Sequence, residues 1–245
     1  MLLATFGARR PTVDADALAR NMASDADTVA ARIAEIASLP DPNDGVEFLT
    51  ATITTAAIRD DALYSGVRVT MLAQLATAQV KLRLDINFGD PITPAPLQVQ
   101  LPSLRPGTDP ISILGYPVET VLAEKLVTAI ELGQANTRVR DFVDIYLLTG
   151  TQTLRCGPLR AAVEATSQFR GVTLNSLAQA TAGLGALRAE TYTAYRRGLG
   201  PIGLALPHQF TALIAADAEF IDPVLTRLPP DATWDPTTRR WVQPS

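Results

Sequence analysis

The stretch VKLRLDINF, residues 80–88, alternates strictly: Val80, Leu82, Leu84, Ile86 and Phe88 are apolar, and Lys81, Arg83, Asp85 and Asn87 between them are polar. Side chains on a strand point alternately to its two faces, so the spacing predicts a strand with one buried face and one polar face. Asp85 falls in the middle of the polar one. Upstream, VEFLTATITT (46–55) and GVRVTMLAQL (66–75) are rich in β-branched and apolar residues and read as further strands. SDADTVAARIAEIASL (24–39) has a different period: Val29, Ile33, Ile36 and Leu39 fall three or four apart, the face of a helix that Ser24 can cap. Ahead of it lies RRPTVDADAL (9–18), in which TVDADAL reads as a strand. Leu2, Leu3 and Phe6 suit the end of a short helix stopped by Gly7.

The rest of the chain changes character. The Pro-rich run from Gly89 to Gly107 is too broken for regular structure, and ISILGY (111–116) reads as a short edge strand. Pro117 opens the helix PVETVLAEKLVTAIELG, which Gly133 stops, and TRVRDFVDIYLLT (137–149) makes a second one. PLRAAVEAT, LRAETYTAYRRG and HQFTALIAADAEF continue as a bundle of helices. The tail from Leu228 is a loop or a docked segment, with Trp234 and Trp241 tethering it by packing. The expected fold class is α+β (mixed α/β), with an α/β domain over residues 1–115 and a helical domain over 116–245.

Composition narrows the chemistry. Of 245 residues, 47% are hydrophobic and 19% charged, as in a globular protein, and the net charge of −4 supplies no bulk attraction to nucleic acid or an anionic membrane. A nucleic-acid partner would need a local basic patch; Arg196, Arg197, Arg239 and Arg240 are the best basic spots in the C-terminal part. One cysteine, Cys156, excludes an internal disulfide and a cysteine zinc cluster, and one histidine, His208, excludes a site of several imidazoles. Any metal would be held by carboxylates, which favours Mg²⁺ or Mn²⁺. No apolar run is long enough to span a bilayer, and the start MLLATFGARRP is too short for a signal peptide, so the expected location is the cytoplasm.

The acidic residues supply the candidate site. On a strand Asp14 and Asp16 project to the same side, and two such carboxylates repel unless a cation or proton sits between them. If the strand of Asp85 is a neighbour, three carboxylates converge, leaving room for a hydrated divalent ion and substrate phosphates. A solvated D-x-D pair, and an Asp85 paired with Lys81 or Arg83, are the competing readings. Lys125 suits contact with phosphate, or a surface pairing with Glu124 or helix neighbours. Arg138, Asp141 and Asp144, at i, i+3 and i+6, share one side of their helix.

Taken in order, RRPTVDADAL, KLRLDINFGDP, YPVETVLAEKL and NTRVRDFVDIYLL resemble the motifs of the AbiEii/AbiGii-type nucleotidyltransferase toxins, including the MenT group, over roughly residues 1–150. The resemblance implies a DNA-polymerase-β-like nucleotidyltransferase fold with a small mixed sheet followed by helices. It implies Asp14 and Asp16 as metal ligands, Asp85 as the third carboxylate assisting the incoming hydroxyl, Lys125 on the triphosphate and Asp141 completing the site. Arg138, Asp144 and Arg10 fall to substrate binding. The implied activity is Mg²⁺-dependent transfer of a nucleoside monophosphate from NTP to the tRNA 3′ end, which blocks aminoacylation and translation, with a cognate antitoxin as partner. Transfer to a small molecule or a protein hydroxyl, and a non-catalytic fold kept as a binding partner, are the alternatives.

The family pattern has a Gly-Gly or Gly-Ser turn before the D-x-D strand, whose backbone N–H groups hold nucleotide phosphates. MLLATFGARR has no such turn. The expectation is that the natural chain begins further upstream or that this copy lacks that grip.

Overall fold

The computed structural model describes residues 14–39, 45–60, 64–89, 91–103 and 107–243, which fall into two compact units dividing at residue 90. The helix end expected at Leu2 to Gly7, and Arg10, lie outside the described residues. The architecture is mixed α and β, with a small mixed sheet in the first unit and nine α-helices among the described residues.

The first unit contains β1 (Ala15–Ala19), α1 (Ala26–Ala37), β2 (Val46–Asp60), β3 (Tyr64–Leu75) and β4 (Ala78–Phe88). The sheet order is β1-β4-β3-β2, with β1 parallel to β4 and the other pairs antiparallel. The cap of α1 is Asp25 rather than Ser24: its Oδ1 accepts from the Thr28 N–H at 2.8 Å. That backbone hydrogen bond holds the Asp25 carboxyl below the usual range. Val29 of α1 closes over Val67, Val69 and Ile86, flanked by Ile33, Leu84 and Phe88. Where the β2–β3 register shifts between Leu49 and Thr54, the Thr52 hydroxyl donates to the Leu49 carbonyl and accepts from the Leu72 N–H, so the interrupted ladder leaves that donor satisfied.

The alternation of β4 holds over half of its length. Ile86 is buried, but Val80 and Leu82, expected on the same buried face, are 54% and 36% exposed. The reason is length. The 12-residue α1 spans about 18 Å, whereas the 15-residue β2 reaches about 50 Å. The helix covers the end of the sheet that carries Val67 and Ile86, and the far ends of the strands, with Phe48, Leu75 and Val80, stay exposed.

The second unit begins with β5 (Leu97–Leu101) and β6 (Ile111–Gly115), an antiparallel ribbon. β5 corrects the reading of 89–107 as irregular: LQVQL alternates between Pro96 and Pro102, which bound the strand without interrupting it. The ribbon groups with the helices, so the units divide at 90 where the sequence reading placed 115/116. Thr93 ties the segment ahead of it to the next helix, where the Thr120 hydroxyl accepts from the Thr93 N–H at 3.2 Å and donates to its carbonyl at 2.8 Å.

Then follow α2 (Val118–Leu132), α3 (Val139–Thr149), β7 (Leu154–Arg155), α4 (Cys156–Arg170), α5 (Leu177–Ala180), α6 (Leu184–Leu187), α7 (Ala189–Gly198), α8 (Pro201–Leu204), α9 (Phe210–Thr226), β8 (Thr233–Asp235) and β9 (Arg240–Val242). Gly133 ends α2 at a φ of 48°, where a Cβ would also sit 2.9 Å from the Ala180 carbonyl oxygen. One core runs through these helices, with Leu122, Leu126, Phe142, Ile145, Leu159 and Phe220 fully buried.

The tail is docked as a hairpin, β8–β9, on β7. Trp234 packs edge-on against Phe220 at 4.8 Å and donates to the Thr149 carbonyl, and Trp241 donates to the Phe220 carbonyl. Arg239, a candidate for phosphate contact, lies 3.7 Å over the Tyr146 ring and donates to the Tyr146 carbonyl. His208 is exposed, and Cys156 is buried at the start of α4. No helix among the described residues is long and apolar enough to cross a membrane.

Candidate active site

β1 lies beside β4 in parallel, with Asp16 opposite Asp85 and Ala15 opposite Leu84. Opposite residues on paired strands share a face, so Asp16 and Asp85 are cross-strand neighbours on the polar side of the sheet. Asp14 stands one residue before β1 and two before Asp16. Of the expected strand TVDADAL, Thr12 and Val13 lie outside the described residues and Asp14 precedes β1. Asp16 is exposed, Asp14 half-buried and Asp85 buried.

On the other side of Asp85 stands Arg68 of β3, its register partner. The guanidinium grips the carboxylate with both prongs: Nε donates to Oδ1 at 2.7 Å and Nη2 to Oδ2 at 2.6 Å. This is the fork geometry that favours Arg over Lys at a carboxylate. The hydrogen bond to Asp85 is the first of the causes that hold the Arg68 guanidinium above the usual arginine range; burial opposes it, and the charges of Asp85, Asp14 and Asp16 reinforce it. All three carboxylates thus act on one point. Sequence reasoning missed Arg68, although Arg68 alternates with buried Val67 and Val69 as Asp85 alternates with Leu84 and Ile86.

Asp14, Asp16 and Asp85 offer hard carboxylate oxygens, the chemistry a divalent ion such as Mg²⁺ takes. As arranged, both Asp85 oxygens are engaged by Arg68, and among the described residues no three acidic, histidine or cysteine side chains are grouped to hold an ion.

The remaining candidates lie in the helical unit. Lys125 Nζ on α2 is 2.8 Å from Asp141 Oδ1 and 2.8 Å from Asp144 Oδ2, both on α3. Its partners are therefore neither Glu124 nor its own helix neighbours. Glu124 instead pairs with Arg170 of α4, which also donates to the Thr128 hydroxyl. The triad is largely buried, Lys125 least so: the side chains of Lys125, Asp141 and Asp144 are 17%, 10% and 0% exposed. Burial alone would lower the Lys125 pKa, but the charges and hydrogen bonds of Asp141 and Asp144 outweigh it and hold the ammonium above its ordinary value. Asp141 sits in the first turn of α3, where the helix dipole favours a negative charge. Arg138 is exposed at the N-cap position, and its backbone N–H donates to Asn136 Oδ1 at 2.7 Å. Arg10 lies outside the described residues.

The structure thus forms two groups of the expected residues, one in each unit: Asp14, Asp16 and Asp85 around Arg68, and Lys125 between Asp141 and Asp144. No curated protein and no solved structure matches the chain significantly. The family model of the nucleotidyl transferase AbiEii toxin, of type IV toxin–antitoxin systems, matches residues 1–220. Such a family implies nucleotidyl transfer by the toxin and an antitoxin as its partner. With most of its length matched, the chain belongs to the AbiEii nucleotidyl transferase toxin family.

Proposed function

We propose that this protein is a Mg²⁺- or Mn²⁺-dependent nucleotidyltransferase with a polymerase-β-like arrangement. It moves a nucleoside monophosphate from an NTP to the 3′ end of tRNA, and so blocks aminoacylation and translation. The observation that carries the reading is the register of Asp16 opposite Asp85, with Asp14 two residues away, in a chain of this family.

Asp14, Asp16 and Asp85 are the residues that hold the ion, which when bound neutralises charge on the triphosphate. Asp85 takes the proton of the attacking 3′-hydroxyl as the new bond to the α-phosphorus forms and pyrophosphate leaves. Lys125 directs two of its three N–H donors at Asp141 and Asp144, and the third serves a phosphate oxygen. The same two carboxylates keep it protonated for that task. Arg138, Asp144 and Arg10 contribute to substrate binding.

The test is incubation of the full chain with each labelled NTP, Mg²⁺ and a panel of total tRNA, protein and metabolite acceptors. Label is expected in tRNA. Label confined to protein or a metabolite would replace the acceptor, and label in none of them would remove the activity.

A further inference from the structure

Asp85 has a cation of the chain itself as its partner on the polar face. Arg68 holds both of its oxygens, at 2.7 and 2.6 Å, from the neighbouring strand. The pair is lopsided: the Asp85 side chain is 12% exposed, while Arg68 is 40% exposed. The carboxylate is fixed in the sheet, and the guanidinium sits at the surface with room to swing away on a long side chain. A half-exposed pair of this kind is weak enough to exchange for a better cation. Asp14 and Asp16 lie near enough to act on Arg68 electrostatically, so the guanidinium stands where the acidic face accumulates charge.

We propose that Arg68 is a positioning residue, a latch that holds Asp85 as an internal counter-ion and yields it when a divalent cation enters between Asp14, Asp16 and Asp85. This rests on the metal assignment made above. The latch keeps Asp85 oriented and lowers the repulsion among three like charges while no ion is bound. Ion binding must then displace an arginine fork, so the affinity of the site for the ion is set in part by Arg68.

Mn²⁺ binding to the full chain, read by the electron paramagnetic resonance of free Mn²⁺, tests this without any activity measurement. Arg68→Gln frees Asp85 and is expected to tighten Mn²⁺ binding up to about fivefold, the equivalent of a half-exposed ion pair. Arg68→Lys keeps a charge but loses the fork, and is expected to tighten it by a smaller factor. In an Asp85→Asn background Arg68→Gln should have no effect on Mn²⁺. A merely structural Arg68 would lower the melting temperature and leave Mn²⁺ affinity unchanged in both variants; that result, with the unaltered chain binding Mn²⁺, overturns the latch and spares the metal assignment. Absence of Mn²⁺ binding in the unaltered chain and in both variants overturns both. Binding that appears only once Arg68 is replaced supports the latch.

Discussion

The two units place the same kinds of side chain in opposite settings. In the sheet unit, Val29 of the one helix covers Val67, Val69 and Ile86, and on the polar face Asp16 is exposed, Asp14 half-buried and Asp85 buried beside a half-exposed Arg68. In the helical unit, Lys125, Asp141 and Asp144 are largely buried on helices that also supply Val121, Leu122, Phe142 and Ile145 to a core reaching every long helix. Charge pairs inherit these differences. Asp85–Arg68 faces water on its arginine side, where screening leaves little net stabilisation. Lys125 and its partners have given up nearly all of their hydration, so each one depends on the others. The sheet unit carries groups that can change partners, and the helical unit carries groups that are held in place.

The comparison breaks first at Lys125. Replacing Lys125 with Met leaves two buried carboxylates facing each other, and urea unfolding should show a loss of about 3–5 kcal/mol. A loss below about 1 kcal/mol, the range of an exposed pair, would mean that the triad is no more fixed than Arg68–Asp85. The same triad predicts that stability is lost at high pH. A lysine raised above its ordinary value contributes fully below that value, and the contribution disappears as pH rises through the folded-state value.

A second effect comes from Asp217 on α9. It is fully buried, neither oxygen has a hydrogen-bond partner among the described residues, and burial pushes its carboxyl well above the ordinary value, against the pull of Arg239. A raised carboxyl contributes most at low pH and costs stability as pH rises from the ordinary value towards the folded-state one. The cost is about 1.4 kcal/mol per pH unit in that window. Asp217→Asn should therefore raise the melting temperature more at pH 8 than at pH 5. Parallel curves for the two chains would show that Asp217 does not titrate on unfolding.

The smallest effect belongs to the sheet. Arg68→Gln should cost less than about 1 kcal/mol of stability, measured in the same urea series as Lys125→Met. A larger loss would make Arg68 a structural anchor and erase the contrast.

Local rules carried some of these features and not others. Period-2 alternation placed Asp85 on the face of β4 that Asp16 and Arg68 share, because it depends on backbone geometry alone, whereas the i, i+2 argument for Asp14 and Asp16 needs both on one strand and Asp14 stands one residue before β1. The exposure of Val80 and Leu82 was hidden, since it depends on where α1 ends relative to strands far longer than itself. Arg68 was hidden for a related reason: its partner is fixed by the β3–β4 register, 17 residues away in the chain. Lys125 was read against its own helix, where spacing offers Glu124, whereas the pairing of α2 with α3 supplies Asp141 and Asp144. Arg239 looked like a surface cation because nothing local shows that the tail folds back as β8–β9 over Tyr146.

The most direct test of the central claim compares nucleotide incorporation into tRNA by the full chain with that of Asp16→Asn. Asp16 is exposed, so the substitution leaves the fold intact, as circular dichroism will verify. The account predicts incorporation by the unaltered chain, reduced about a hundredfold or more in the variant. Equal incorporation by the two proteins would contradict it.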